Sequence, residues 1–307
     1  MNTTRPILNK AHDLIRKDRL AEAGDTLLYD LYDFRKTVGQ QDWFDTHVPE
    51  AHYHLLMPTM LECPFSWHSF TKPRGYAGDA MLIDYLYKEN TVARDLEAAT
   101  PLGRAIHDYW IAAPAAAAVR SRRDLFARLI DETAERCEDA EIFSVACGHL
   151  REASQARALR ENKIKRFVAL DQDAESLAVV ARNFPNPPVT TVNRSIRGIL
   201  AGKAHYGLFD LIYASGLYDY LDARVARRFT ANLFAMLKPQ GTLVVPNFLD
   251  TAPSCASLEI FADWRLIYRN PAEIEDCFAE IPACEIASME YFAECSGSVG
   301  FVVMKRT

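Results

Sequence analysis

Apolar residues recur at three- and four-residue spacings from the start of the chain, at Leu8, Ala11, Leu14 and Ile15 and then at Leu20, Ala23, Leu27, Leu28 and Leu31. That is the period of one helix face, and it runs almost throughout residues 1 to about 137. A longer helical pattern from Leu102 to Cys137 contains Pro114, which should end or kink it near Ala113. The segment 61–79 interrupts the helices with two prolines and two glycines and reads as an aromatic loop. From 141 the period changes. Apolar runs at 141–146, 166–170, 188–192, 209–214 and 241–247 read as strands, with helical patterns at 150–162, 173–183 and 222–237 between them. Such alternation predicts a parallel sheet with helices on both faces. After a helical segment around 256–280, strands at about 285–292 and 298–304 are joined by Cys295-Ser-Gly-Ser, a hairpin turn. The pattern predicts an α/β fold with a doubly wound, mostly parallel seven-stranded sheet ending in an antiparallel hairpin. It divides the chain into a helical region, 1–137, and a sheet domain, 138–307.

Composition narrows the partners. With 307 residues and 49% apolar content, the chain can bury a large core. No apolar run approaches a membrane span and the N-terminus has no apolar leader, so a cytoplasmic location is expected. Seven cysteines, scattered and without a C-x-x-C pair, read as reduced thiols. A net charge of −6 gives no electrostatic reason to bind nucleic acid. The basic cluster Arg120-Ser-Arg-Arg123 reads as a solvated helix face. His47, His52 and His54 lack the spacing and the matching carboxylate of a metal site, so no metal is expected. The alanine-rich stretch 112–118 could pack on a second subunit, giving a homodimer, or on the sheet domain.

The run Glu141-Ile-Phe-Ser-Val-Ala-Cys-Gly-His-Leu-Arg-Glu152 places a small-residue turn between a strand and a helix. The next strand ends on Asp171, where a carboxylate can accept both hydroxyls of a ribose. A dinucleotide turn needs three glycines to bring the backbone to a pyrophosphate. Here only Gly148 remains, with Ala146, Leu150 and Ala153 at the neighbouring glycine positions. S-adenosylmethionine has no phosphate and tolerates side chains there, so the turn favours it over NAD.

The turn Val145-Ala-Cys-Gly-His149, Asp171, the strand Phe209 to Tyr213 with its continuation to Leu221, and Leu237-Lys-Pro-Gln-Gly241 fall in the order found in class I S-adenosylmethionine-dependent methyltransferases, which the chain resembles over roughly 138–307. The resemblance implies a Rossmann-like fold. A narrower similarity covers most of the chain. Lys72-Pro-Arg-Gly-Tyr-Ala-Gly-Asp79, Ser144 to Gly148, Gly216-Leu-Tyr-Asp-Tyr-Leu221, Asn247-Phe248 and Asp263 to Arg269 are similar to a bacterial group of 3-hydroxypalmitic acid methyl ester biosynthesis proteins. That similarity implies methylation of a small-molecule carboxylate. His149 stands where the group has proline, and Leu150 where the wider superfamily has glycine.

These readings nominate residues. Ala146, Cys147, Gly148, Asp171 and Gln172 would hold the cofactor, with Asn193 and Ser195 near the adenine by resemblance, and Ser215 and Gly216 after the fourth strand. Asn193 and Ser195 serve equally as turn residues, and Asp173 is the better cap for the helix after Asp171. Cys147 at a helix start could be a nucleophile, but methyl transfer needs no covalent intermediate and a packing role fits better. Tyr218, Asp219 and His68 are the catalytic candidates. Tyr218 is favoured over Tyr220, which could instead pack in the core, with Asp219 and Asp222 capping the next helix. His68 could be a general base or a hydrogen-bonded packing residue. Arg74 could bind a carboxylate or form a structural salt bridge, with Tyr76 beside it on the same glycine-flanked loop. Trp67, Tyr220, Asn247, Trp264 and Tyr268 are the substrate-side candidates, with Trp264 and Tyr268 four apart on one face of a helix.

The expected reaction is methyl transfer to an oxygen of a small organic acid, with the helical region as a lid. Alternatives are transfer to a hydroxyl or nitrogen, which for a hydroxyl would need a base such as His68 or Asp219, and a non-catalytic cofactor-binding module.

Overall fold

The computed structural model describes residues 3–307. The chain divides into two compact units, one running to Ala117 and including Ala252–Leu266, the other comprising Ala118–Thr251 and Ile267–Thr307.

The second unit is built on seven strands: β1 Ala140–Val145, β2 Ile164–Asp171, β3 Val189–Asn193, β4 Phe209–Tyr213, β5 Leu237–Phe248, β6 Ile286–Ala293 and β7 Val299–Arg306. Their order is β3-β2-β1-β4-β5-β7-β6. The first five are parallel, and β7 runs antiparallel to both β5 and β6. Central strands are buried on both faces, so β1 and β4 are buried along nearly their whole length rather than at alternate positions. Phe143, Phe209, Phe229 and Leu233 lie in the core on one side of the sheet. Leu237-Lys-Pro-Gln-Gly241, whose proline and glycine read as a turn ahead of the strand at 241–247, is instead part of β5, where Gln240 takes a φ of 62° and the pairing with β4 shifts register between Phe209 and Leu211.

Helix Pro114–Arg136 buries Val119, Phe126 and Ile130. The Phe126 ring stacks on Tyr213 at 4.4 Å. Pro114 does not kink one long helix; it starts a second, with Pro101–Ala112 ending before it, because a proline at the first helical position loses no hydrogen bond. Helix Ala174–Asn183 is capped by Asp173, which accepts from the Glu175 amide at 2.9 Å, and Ala223–Phe234 by Asp222, which accepts from Val225 at 2.9 Å.

The helical unit is tied together by Glu259, fully buried and held by Arg35 at 2.6 and 2.8 Å and by the Trp43 indole at 2.7 Å. Helix Cys255–Phe261 belongs here, and it stops at Phe261. Residues 262–268 are irregular, with Asp263 at a φ of 39°, so the expected helix through Asp263–Arg269 does not form and Trp264 and Tyr268 do not share a helix face. The left-handed residue ends the helical run. Among the described residues, no helix is long and apolar enough to cross a membrane.

Candidate functional site

In an open parallel sheet, ligands bind beyond the strand C-termini where the strand order reverses, because the loops there diverge and leave a crevice. The order reverses between β1 and β4. The segments that follow these strands are Ala146–Leu150 and Ser215–Asp219.

The turn after β1 places three residues in the left-handed region: Ala146 at φ 51°, Gly148 at 54° and Leu150 at 52°. Only one of them is glycine, so the turn keeps a glycine-type backbone with side chains that resist it. Leu150 is buried and its side chain packs inward. Cys147 is buried too; its amide donates to the Leu170 carbonyl at 3.0 Å, and burial raises its thiol pKa well above the ordinary range. A thiol so protonated is a packing residue rather than a nucleophile.

Asp171 braces this turn. Its Oδ2 accepts from the Gly148 amide at 2.8 Å and its Oδ1 from the Asp173 amide at 2.9 Å. Each oxygen keeps a further lone pair, so the carboxylate can accept two more donors. Burial pushes its carboxyl above the aspartate range, and the Asp173 and Gly148 amides pull it partly back. Asn193 Nδ2 donates to the carbonyls of Asp171 and Gln172 at 3.2 and 3.0 Å, and the Ser195 hydroxyl accepts from the Arg197 amide at 3.3 Å. Both therefore make turn contacts, while Gln172 is exposed beside them. The structure thus gathers Ala146, Cys147, Gly148, Asp171, Gln172 and Asn193 at the ends of β1 to β3.

After β4 it is Tyr218, the favoured catalytic candidate, that is buried, while Tyr220 stays exposed as a substrate-side residue can be. Tyr218 is fully buried and shares a 2.8 Å hydrogen bond with the Thr230 hydroxyl, so it packs in the core. Tyr220 is the exposed one, at 41%. The cause is a single 3-10 turn, Tyr218–Tyr220, which sends residues two apart in different directions. Asp219 is buried and does not cap the next helix; its Oδ1 accepts from the Phe248 amide at 2.7 Å. Burial raises its carboxyl and Arg122 opposes the shift. Asn247, expected on the substrate side, is fully buried and occupied: its amide donates to the carbonyls of Phe248 and Ile267, each at 2.8 Å, and its oxygen accepts from Arg269. Arg269 also donates to the carbonyls of Tyr218 and Leu221. Asn247 and Arg269 therefore hold the post-β4 turn against β5.

Two buried charged residues in this unit were not among the nominated site residues. Arg122 is 4% exposed, not part of a solvated face. It occupies the buried stripe Val119, Arg122, Phe126, Ile130 and Thr133, spaced three and four apart, and that spacing was the readable signal. Glu152 is also buried, its Oε1 accepting from the Tyr213 hydroxyl at 2.8 Å. Burial raises its carboxyl, while Tyr213, Arg122 and Arg123 pull it down.

The remaining candidates belong to the helical unit. His68 is buried with Nε2 at 2.9 and 3.0 Å from the Asp79 carboxylate, which also accepts from the Leu82 amide at 2.7 Å. Ser69 Oγ donates to the Ala262 carbonyl at 2.7 Å and Lys72 pairs with Asp263, joining helix Pro64–Thr71 to the segment that carries Trp264. Trp67 and Tyr76 are exposed, Arg74 is half-buried and Trp264 is buried.

Comparison with known proteins bears on the fold. A Bordetella parapertussis protein provisionally assigned as exported superposes with a TM-score of 0.59 at 16% identity, over 74% of this chain and 79% of that one. A Thermobifida fusca protein provisionally assigned as a methyltransferase superposes with a TM-score of 0.55 at 14% identity, over 74% of this chain and 94% of that one. The fold is the Rossmann-like fold of methyltransferases. No protein-family model and no curated protein matches the chain.

Proposed function

We propose that the protein is an S-adenosylmethionine-dependent methyltransferase acting on an oxygen of a small organic acid. The observation that carries this reading is the left-handed turn Ala146–Leu150 braced by Asp171 at the edge of the neighbouring parallel strand. The residues present fit the cofactor: Asp171 retains acceptor capacity for two ribose hydroxyls, and the buried Leu150 sits where a pyrophosphate would need glycine. The cofactor, when bound, supplies a methyl group activated by a positively charged sulfur.

A carboxylate acceptor with a pKa near about 4–5 is ionised at neutral pH and needs no strong base. The task of the chain is then to orient the acceptor and exclude water, and orientation alone can contribute about 7–11 kcal/mol. Buried Tyr218 and Asn247 contribute by holding the shape of the post-β4 turn rather than by touching the acceptor. Transfer to a hydroxyl is the second reading, and it would require a base beside the acceptor.

Calorimetric titration with S-adenosylmethionine and S-adenosylhomocysteine, comparing wild type with Asp171→Ala, tests the cofactor. Micromolar-range binding that collapses in the variant is expected, and NAD and NADP run alongside should give none. Absence of binding by the wild type would remove the reading. Turnover lost in His68→Gln or Asp219→Asn, with cofactor binding retained, would move the acceptor from a carboxylate to a hydroxyl.

A further inference from the structure

Two of the three guanidinium nitrogens of Arg122 have no hydrogen-bond partner in the protein. The residue is 4% exposed, and its Nε and Nη1 are buried without a hydrogen-bond acceptor. The facing carboxylate, Asp219 Oδ2, stands 3.7 Å from Nη1, too far for a hydrogen bond. The other oxygen of Asp219 is engaged by the Phe248 amide. Nη2 lies 3.7 Å from where a Cβ on Gly216 would stand, which places the guanidinium beside the turn after β4.

A structural arginine pair in this protein looks different. Arg35 grips Glu259 with both arms of its fork at 2.6 and 2.8 Å. Burying a guanidinium without such partners is unfavourable, and a planar oxyanion entering the fork would offset it. We propose that Arg122 binds a ligand carboxylate at the ends of β1, β4 and β5, an inference that rests on the methyltransferase reading. Two carboxylates could fill this role, the amino-acid tail of the cofactor and the acceptor acid.

The test compares wild type, Arg122→Met and the charge-balanced Arg122→Met/Asp219→Asn, each checked for fold by circular dichroism. Ligands are S-adenosylhomocysteine, methylthioadenosine, which lacks the amino-acid tail, and octanoate added to the S-adenosylhomocysteine complex. Affinity for S-adenosylhomocysteine falling at least about tenfold with methylthioadenosine unchanged assigns the carboxylate to the cofactor. Both nucleosides binding as in wild type, with octanoate binding weakened by a similar factor, assigns it to the acceptor. Equal losses for both nucleosides in a folded variant would reduce Arg122 to a structural residue and overturn the proposal, as would unchanged binding of all three ligands. A wild type that binds neither nucleoside fails the cofactor reading itself, and the proposal with it.

Discussion

Replacing the two non-glycine residues of the cofactor turn by glycine should have opposite effects. Ala146 and Leu150 share nearly the same left-handed φ, 51° and 52°. A Cβ in that region costs about 1–2 kcal/mol, whereas glycine loosens the unfolded chain by about 0.4–1 kcal/mol. Ala146→Gly should therefore stabilise by roughly 0.5–1 kcal/mol, a rise of about 1–3 °C in Tm for a unit of this size. Leu150 gains the same backbone relief, but it is 1% exposed, and removing a buried leucine side chain costs about 2–5 kcal/mol. The net expectation for Leu150→Gly is a loss of about 2–4 kcal/mol. Thermal melts of the full chain followed by circular dichroism measure both, with S-adenosylhomocysteine binding recorded alongside and retained in Ala146→Gly. A fall of about 2 °C or more for Ala146→Gly, with Leu150→Gly no worse, would show that the turn does not depend on left-handed backbone at these positions.

Asp171→Asn should lower affinity for S-adenosylhomocysteine about ten- to a hundredfold, because one amide of the brace then faces a donor. The Asp171 carboxyl is raised by burial, so acidification should weaken wild-type binding from above the ordinary aspartate range, a trend absent in the variant when titrated against pH. In the free protein the sign reverses: a raised folded pKa favours stability at low pH, lost as pH climbs through it. Glu152→Gln should show this directly, since its raised carboxyl is removed while an oxygen remains for Tyr213; melts between about pH 5 and 8 should decline less steeply than in wild type. Tyr218→Phe should cost about 0.5–1.5 kcal/mol in denaturant unfolding and leave turnover unchanged, since Thr230 keeps its bond to the Ala226 carbonyl; a large loss of turnover would return Tyr218 to the reacting centre.

The sheet was legible because its signals are local. Each buried parallel strand is an apolar run bounded by turn residues, and Asp171 is conspicuous as an acid ending such a run. Pro114 announces a helix boundary for a reason internal to its own backbone, whichever side of the boundary it serves. The left-handed turn was half legible: its length and position show in the sequence, but Ala146 and Leu150 argue locally against the conformation that they adopt.

The remaining features depend on what a side chain meets. Tyr218 and Tyr220 are the same residue type two apart, and only the 3-10 turn after β4 decides which is buried. Asn247 looks like a ligand contact until the carbonyls of Phe248 and Ile267 occupy its amide. Arg122 reads as surface charge because composition prices arginine as polar, whereas its place on the helix stripe forces it inward. Sequence by itself determined the strand and helix periods, the sheet and the acid at its edge, since these follow from backbone preference and apolar patterning. Tertiary structure alone decided which polar groups are consumed internally and which remain for a ligand, because hydrogen-bond partners come from segments distant in the chain.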